Sequence, residues 1–244
     1  MLKLSFIIVI LLAGLLVAPV YAQHEYAPVQ EKAVNYKNWT LPGLADRKLV
    51  NLRSWSQDKK LVMVVYFAPW CENWKFNAPV VAKLYEKYKA QGLGVVAVSE
   101  YGSLDEVRAY FGPDGPPYPV VTESETRADR AVTAHFGYRK LTGDGRNWGS
   151  PWHIFLEPAK FPAEGDILAA NAAIVNGELI EAEADKFIAE RLSAPPAKPV
   201  VLPVTKTKPS FSSAHTTSSQ PAFTLAPKDD KSKDGTIKPC PEKP

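Results

Sequence analysis

Two unbroken apolar runs stand out along the chain. Leu61–Phe67 (LVMVVYF) and Gly94–Ser99 (GVVAVS) have the length and β-branched content of strands buried on both faces. Between them Val80, Val81, Leu84, Tyr85 and Tyr88 recur at spacings of three and four. That period predicts a helix from about Cys71 to Gln91 with one face on a sheet. Pro79 falls inside it, where it must remove a backbone bond and bend the helix, and Gly92 and Gly94 end it. Strand, helix and strand make a β-α-β unit with parallel strands.

Weaker signals surround this unit. Gln23–Trp39 is polar with little periodicity, and Thr40–Trp55 has a Pro42-Gly43 turn followed by a short alternating stretch. Ser103 with Glu106 forms a capping box for a helix reaching about Phe111. Gly112–Pro119 (GPDGPPYP) predicts a loop, Val120–Thr122 a short strand, Thr126–Phe136 a helix closed by Gly137, and Arg139–Gly149 another loop. Trp152–Leu156 is a third apolar strand. Ala172–Val175, Asn176-Gly177 and Glu178–Ile180 spell a hairpin, and Glu181–Leu192 a last helix.

The ends of the 244-residue chain differ from its middle. Residues 1–22 carry Lys3, an apolar run from Phe6 to Val17, Pro19, and Val20-Tyr21-Ala22 at the end, which is the pattern of a secretory signal peptide cut after Ala22. The run is short for a membrane span of about 20 residues, so membrane association is expected only if the signal stays uncleaved. Export implies an oxidising compartment, periplasmic or extracellular. Residues 23–34 read as a lead-in, 35–193 as the folded domain, and 194–244 as a Pro/Ser/Thr/Lys-rich disordered tail. Residues 23–193 carry 20 Lys and Arg against 22 Asp and Glu; the tail carries 8 Lys against 4 acids. Neither balance calls for a nucleic-acid partner.

Chemistry concentrates at Cys71, the one cysteine of the folded part. A strand that ends in a cysteine and runs straight into a helix puts sulfur among the unpaired N–H groups of the helix N-terminus, where a thiolate is favoured. Glu72 opposes this, but an exposed carboxylate can turn to water, so the expected net effect favours the thiolate. Cys240, in the tail motif Lys238-Pro239-Cys240-Pro241, reads either as an incidental thiol, as an intermolecular disulfide partner, or as a tethered resolver of Cys71. Roughly 45 flexible residues span about 35–40 Å, enough for the last. His135 and His153 sit in apolar contexts and read as structural, and no metal-ligand spacing or cofactor motif occurs.

Phe67-Ala68-Pro69-Trp70-Cys71, with Lys75 and Pro79 behind it, resembles the active-site strand, turn and helix of the thioredoxin superfamily, in particular its exported redoxin branch of TlpA-like and AhpC/TSA-like proteins. The resemblance implies an α/β fold, a central mixed sheet flanked by helices, beginning with a short N-terminal hairpin at Thr40–Trp55. It implies a cis Ser150-Pro151 bond facing Cys71, with the Ser150 backbone open to an extended substrate. Trp70, Trp74, Trp148 and Trp152 would then form an apolar rim. It also exposes a departure: the family's second cysteine is Trp74 here, so C-x-x-C becomes C-E-N-W. The implied activity is monothiol: a thiol–disulfide or antioxidant oxidoreductase acting through Cys71 on a thiol- or disulfide-containing protein or a small thiol. A peroxidase site of the P-x-x-x-T-x-x-C type is disfavoured, because Val64 and Ala68 occupy the matching positions. The alternative is a redox-inactive module of the same fold that binds peptides or thiol proteins.

Overall fold

The computed structural model describes residues 24–194. Residues 1–23, where a signal peptide is expected, and 195–244, Cys240 included, lie outside the described residues. The chain gives, in order, β1 (Tyr26–Ala27), β2 (Gln30–Lys37), β3 (Thr40–Pro42), β4 (Leu49–Asn51), α1 (Leu52–Trp55), β5 (Leu61–Phe67), α2 (Glu72–Tyr88), β6 (Leu93–Ser99), α3 (Leu104–Phe111), β7 (Val120–Thr122), α4 (Ala134–Thr142), β8 (Trp152–Leu156), β9 (Ile167–Val175), β10 (Glu178–Leu179) and α5 (Glu181–Ser193). Short 3-10 turns follow α2, precede α4 and follow β8.

Six strands form one mixed sheet in the order β2-β9-β8-β5-β6-β7. β5, β6 and β7 run parallel, while β8 is antiparallel to β5 and β9 to β8. Alternation along β5 divides the core into two layers. Leu61, Met63, Val65 and Phe67 face α2 and α5; Val62, Val64 and Tyr66 face Leu52 of α1 and Tyr138 of α4. Helices on both faces of such a sheet, with the first central strand running into Cys71, make a thioredoxin-like fold. The strands anticipated at Leu61–Phe67, Val120–Thr122 and Trp152–Leu156 form as read, and Ser103 and Glu106 close a capping box at the start of α3.

Three local readings change. The lead-in is not irregular: Gln30–Lys37 is the edge strand, paired with β9, and it buries Val34 and Tyr36. Asn35 at φ 46 sits in a register shift there, which masks the alternation. The anticipated hairpin after Ala172 does not form. β9 pairs with β2 and β8, whereas β10 pairs in parallel with β1, and the Glu178 amide donates to the Glu25 carbonyl at 2.8 Å. The helix placed at Thr126–Phe136 is instead a 3-10 turn, Arg127–Ala131, followed by α4, which runs through Gly137 and ends at Gly143 (φ 80). Thr133 caps the Phe136 amide, and the Glu123 carboxylate accepts from the Ala134 and His135 amides, so the helix starts later than its sequence suggests. His135, Tyr138, Arg139 and Thr142 then form a buried stripe that outweighs the roughly 1 kcal/mol cost of a helical glycine.

His153 is fully buried on β8, paired with Val65, and neither of its ring nitrogens has a hydrogen-bond partner. Burial first, then the charge of Arg146, lowers its pKa to about 3. The unfolded chain therefore binds a proton between about pH 6.5 and 3 that the folded chain refuses, so this histidine withdraws stability as pH falls through that window. Replacing it with leucine should flatten the acid limb of the stability curve, whose slope from one such group approaches about 1.4 kcal/mol per pH unit. Urea unfolding of His153→Leu and wild type between pH 4 and 7 reads this directly; parallel curves would contradict it.

Candidate functional site

Cys71 stands at the N-cap of α2 with φ −78 and ψ 122, so the strand-to-helix corner aims its sulfur at the loop before β8. There the Ser150-Pro151 bond is cis. The Cys71 thiol donates to the Ser150 carbonyl at 3.2 Å, and the Ser150 hydroxyl accepts from the Ala68 amide at 2.9 Å. The two segments that carry the chemistry are thus clasped to each other. Glu72, feared as a neighbour to a thiolate, turns outward to Lys75 at 2.5 Å. Pro79 lies within α2 as expected.

The loop is held from below by buried charges. Arg146 makes a bidentate pair with Asp144 (Nε to Oδ1 3.0 Å, Nη2 to Oδ2 2.8 Å), donates to the Pro151 carbonyl at 2.8 Å and reaches Glu25 at 3.1 Å. Arg139, from α4, donates Nε to Asp144 at 3.0 Å and Nη2 to the Arg146 carbonyl. Burial alone would raise the Asp144 carboxyl; the Arg146 hydrogen bonds, with the charges of Arg146 and Arg139, outweigh it and hold it below the usual carboxylate range. Arg139 also packs where a side chain at Gly149 would stand: an added Cβ would lie 1.7 Å from its Nε.

A second polar cluster sits at the ends of β6 and β7. Glu100 is fully buried with no hydrogen-bond partner for either carboxyl oxygen among the described residues, and burial first, then the neighbouring Glu123 carboxylate, holds it well above the ordinary carboxylate range. Tyr101 bonds His135 Nδ1 at 3.1 Å and Thr133 at 3.2 Å, and His135 stacks on Tyr66 with ring centroids 4.8 Å apart.

The expected rim does not form. Trp74 is fully buried under α2, with its ring 4.7 Å from Phe67 and 6.2 Å from Tyr110. Trp152 is buried on the opposite layer of the sheet, its Nε1 donating to Asn176 at 2.7 Å. Strand alternation carries it away from Cys71. Only Trp70, half-buried, and Trp148 meet beside the thiol, ring centroids 5.1 Å apart. Ser150 and Pro151 are buried too, because the thiol occupies the carbonyl that a substrate was expected to find open. Cys71 itself is 0% exposed. A surface cleft of about 470 Å³ lies between β8, β9 and α5 and includes none of these residues.

Sequence reading passed over Arg139, Asp144 and Arg146 because they fell in a segment taken for a loop. Their signal was three charged residues within a glycine-rich stretch just before a strand-entry proline. Glu100 had a plainer one: a carboxylate continuing a fully apolar strand.

No protein-family profile and no curated protein matches this chain. Solved structures of similar shape include a thioredoxin-family thiol:disulfide interchange protein from Chlorobium tepidum TLS (19% identity, TM-score 0.46, covering 70% of this chain and 99% of that one). Others are a secreted thiol-disulfide isomerase from Corynebacterium glutamicum (13%, 0.47, 64% and 84%) and a DsbF homologue from Corynebacterium diphtheriae (17%, 0.45, 71% and 96%). These TM-scores lie below 0.5, so the fold assignment stands on the chain's own topology.

Gly149, at φ 60, joins the charge cluster to the loop. Gly149→Ala should lose about 3 kcal/mol or more, since it strains the backbone and drives Arg139 from Asp144. Chemical denaturation measures the loss, and an effect under about 1 kcal/mol would mean the cluster does not brace the loop.

Proposed function

We propose that this chain is an exported thioredoxin-like thiol–disulfide oxidoreductase of the redoxin branch, acting through Cys71 alone. The observation that carries the reading is the junction of three parts: a cysteine at the N-terminus of a 17-residue helix, its sulfur 3.2 Å from the Ser150 carbonyl, and the cis Ser150-Pro151 bond beside it. Export rests on the leader pattern of residues 1–22. Among the described residues, no helix is long and apolar enough to cross a membrane.

The reaction runs in two exchanges. The Cys71 thiolate attacks one sulfur of a substrate disulfide; that S–S bond breaks as the Cys71–sulfur bond forms, and the departing thiolate takes up a proton. The residue that would resolve the intermediate in a dithiol protein is Trp74, which holds no thiol. An outside thiol therefore attacks the mixed disulfide, releases Cys71 and leaves joined to the substrate's sulfur. Partners are thus a disulfide-bearing protein or small molecule and a reducing thiol. A tethered route is also open: Cys240 attacks the Cys71 sulfur, the substrate leaves as a thiolate that takes up a proton, and the Cys71–Cys240 disulfide formed awaits an outside thiol.

The complete burial of Cys71 and Trp74 favours a second reading, a redox-inactive module of this fold. Alkylation of Cys71 by iodoacetamide in the folded Cys240→Ser chain separates the two. The oxidoreductase reading expects labelling much faster than global unfolding, and disulfide-linked adducts that persist until a thiol is added. Labelling no faster than unfolding selects the inactive module. Trp74→Cys should restore self-resolution, shortening the life of those adducts, while costing about 3–5 kcal/mol for the vacated indole volume.

A further inference from the structure

Beside Cys71 lies an assembly of cations and indoles that the reaction above does not use. The 3-10 turn Arg127–Ala131 carries two arginines onto half-buried Trp70 and buried Trp148. The Arg127 guanidinium carbon stands 4.6 Å from the centre of the Trp70 ring, and that of Arg130 5.0 Å from the centre of Trp148. Trp70 precedes Cys71, and Trp148 lies two residues before Ser150, so the stacked pairs straddle the thiol–carbonyl contact. Trp70 Nε1 is spent on the Tyr101 carbonyl at 3.0 Å, but Trp148 Nε1 is buried and has no acceptor.

Stacking occupies the flat face of a guanidinium and leaves its N–H edges open. Arg130 spends one edge on the Asn147 side-chain oxygen; Arg127 is exposed and makes no hydrogen bond among the described residues. Neither forms an ion pair among the described residues, although Asp129 shares their turn and Glu125 stands nearby, bound to Arg47 at 3.2 Å. Glu123, the other carboxylate of this face, is committed to the amides that open α4. Two uncompensated guanidiniums and a vacant indole N–H present donors without an acceptor, which is the chemistry of a carboxylate site.

We infer that Arg127 and Arg130, with Trp148 Nε1, form an anion-recognition site that selects carboxylate-bearing thiols and disulfides for Cys71. This rests on Cys71 reacting at all, as proposed above. The substrate's carboxylate engages the guanidinium edges and the indole N–H while its sulfur meets Cys71. Each ring has its own guanidinium, Arg127 over Trp70 and Arg130 over Trp148, so the two cations are set side by side along this face.

Paired probes, one anionic and one neutral, test it on the full chain carrying Cys240→Ser. Rates of Cys71 alkylation by iodoacetate, which is anionic, and iodoacetamide, which is neutral, are measured at low and high salt. Taking their ratio cancels any general change in access. The ratio should fall roughly tenfold in Arg127→Gln and in Arg130→Gln at low salt, recover in part in Arg127→Lys, and lose its dependence on the arginines at high salt. An unchanged ratio, with iodoacetamide still reacting, overturns the anion site and leaves the oxidoreductase intact. Failure of both reagents in the folded wild type overturns both.

Discussion

The buried ion network of Glu25, Arg146, Asp144 and Arg139 is the constraint on which the site depends. Withdrawing such charges from water costs several kcal/mol each, and their mutual attraction offsets that only with close, saturated geometry. Here the geometry is close: one carboxylate receives both arginines, and Arg146 adds the Pro151 carbonyl and Glu25. Removing Asp144 would strand the buried Arg139 charge, whereas Glu25, 24% exposed, keeps contact with water. The network therefore specifies position more than it adds stability. It fixes four separate stretches, the N-terminal segment, α4, the loop and the start of β8, relative to one another. Ser150 is carried on that frame, and through it the sulfur of Cys71.

How much of this could be read from the sequence follows from where each element finds its partners. β5, α2 and β6 were legible because their apolar period, terminal glycines and length are local properties, and because a strand buried on both faces cannot hide its composition. The cis Ser150-Pro151 bond came from resemblance and was met. What failed to read depended on distant residues. The start of α4 is set by Glu123, eleven positions earlier, whose carboxylate takes two of its amides. β10 is a strand only because β1 lies beside it, more than 150 residues away in sequence. β2 looked irregular because a bulge at Asn35 breaks its alternation. At the site, Trp74 was expected on a surface rim, and the structure buries it. Its residue type could not say that Phe67 and Tyr110 would close around it.

That burial gives Trp74 a physical role. Its indole contributes a large apolar area to the layer between α2 and the sheet, beneath the helix whose N-terminus carries Cys71. A rigid α2 N-terminus keeps its unpaired amides and dipole directed at the sulfur, and the Glu72 charge is drawn off to Lys75. Cys71 thus stands at a well-supported corner of the fold.

The acid pair at the ends of β6 and β7 completes the frame from the other side. Glu100 is anchored by its own amide, which donates to the Phe67 carbonyl at 2.8 Å, one residue before the Ala68 amide that holds Ser150. Its carboxyl keeps a proton that the unfolded chain releases above about pH 4.5. Folded stability from this group is therefore complete in acid and declines as pH rises from that value toward its raised pKa, opposite in sign to His153. Ionising Glu100 would set a second negative charge against Glu123, whose carboxylate opens α4, and α4 in turn carries Arg139 to the loop. From Glu123 the contacts lead through α4 and Arg139 to Asp144, and from there through Arg146 to the Pro151 carbonyl, next to the Ser150 that holds Cys71.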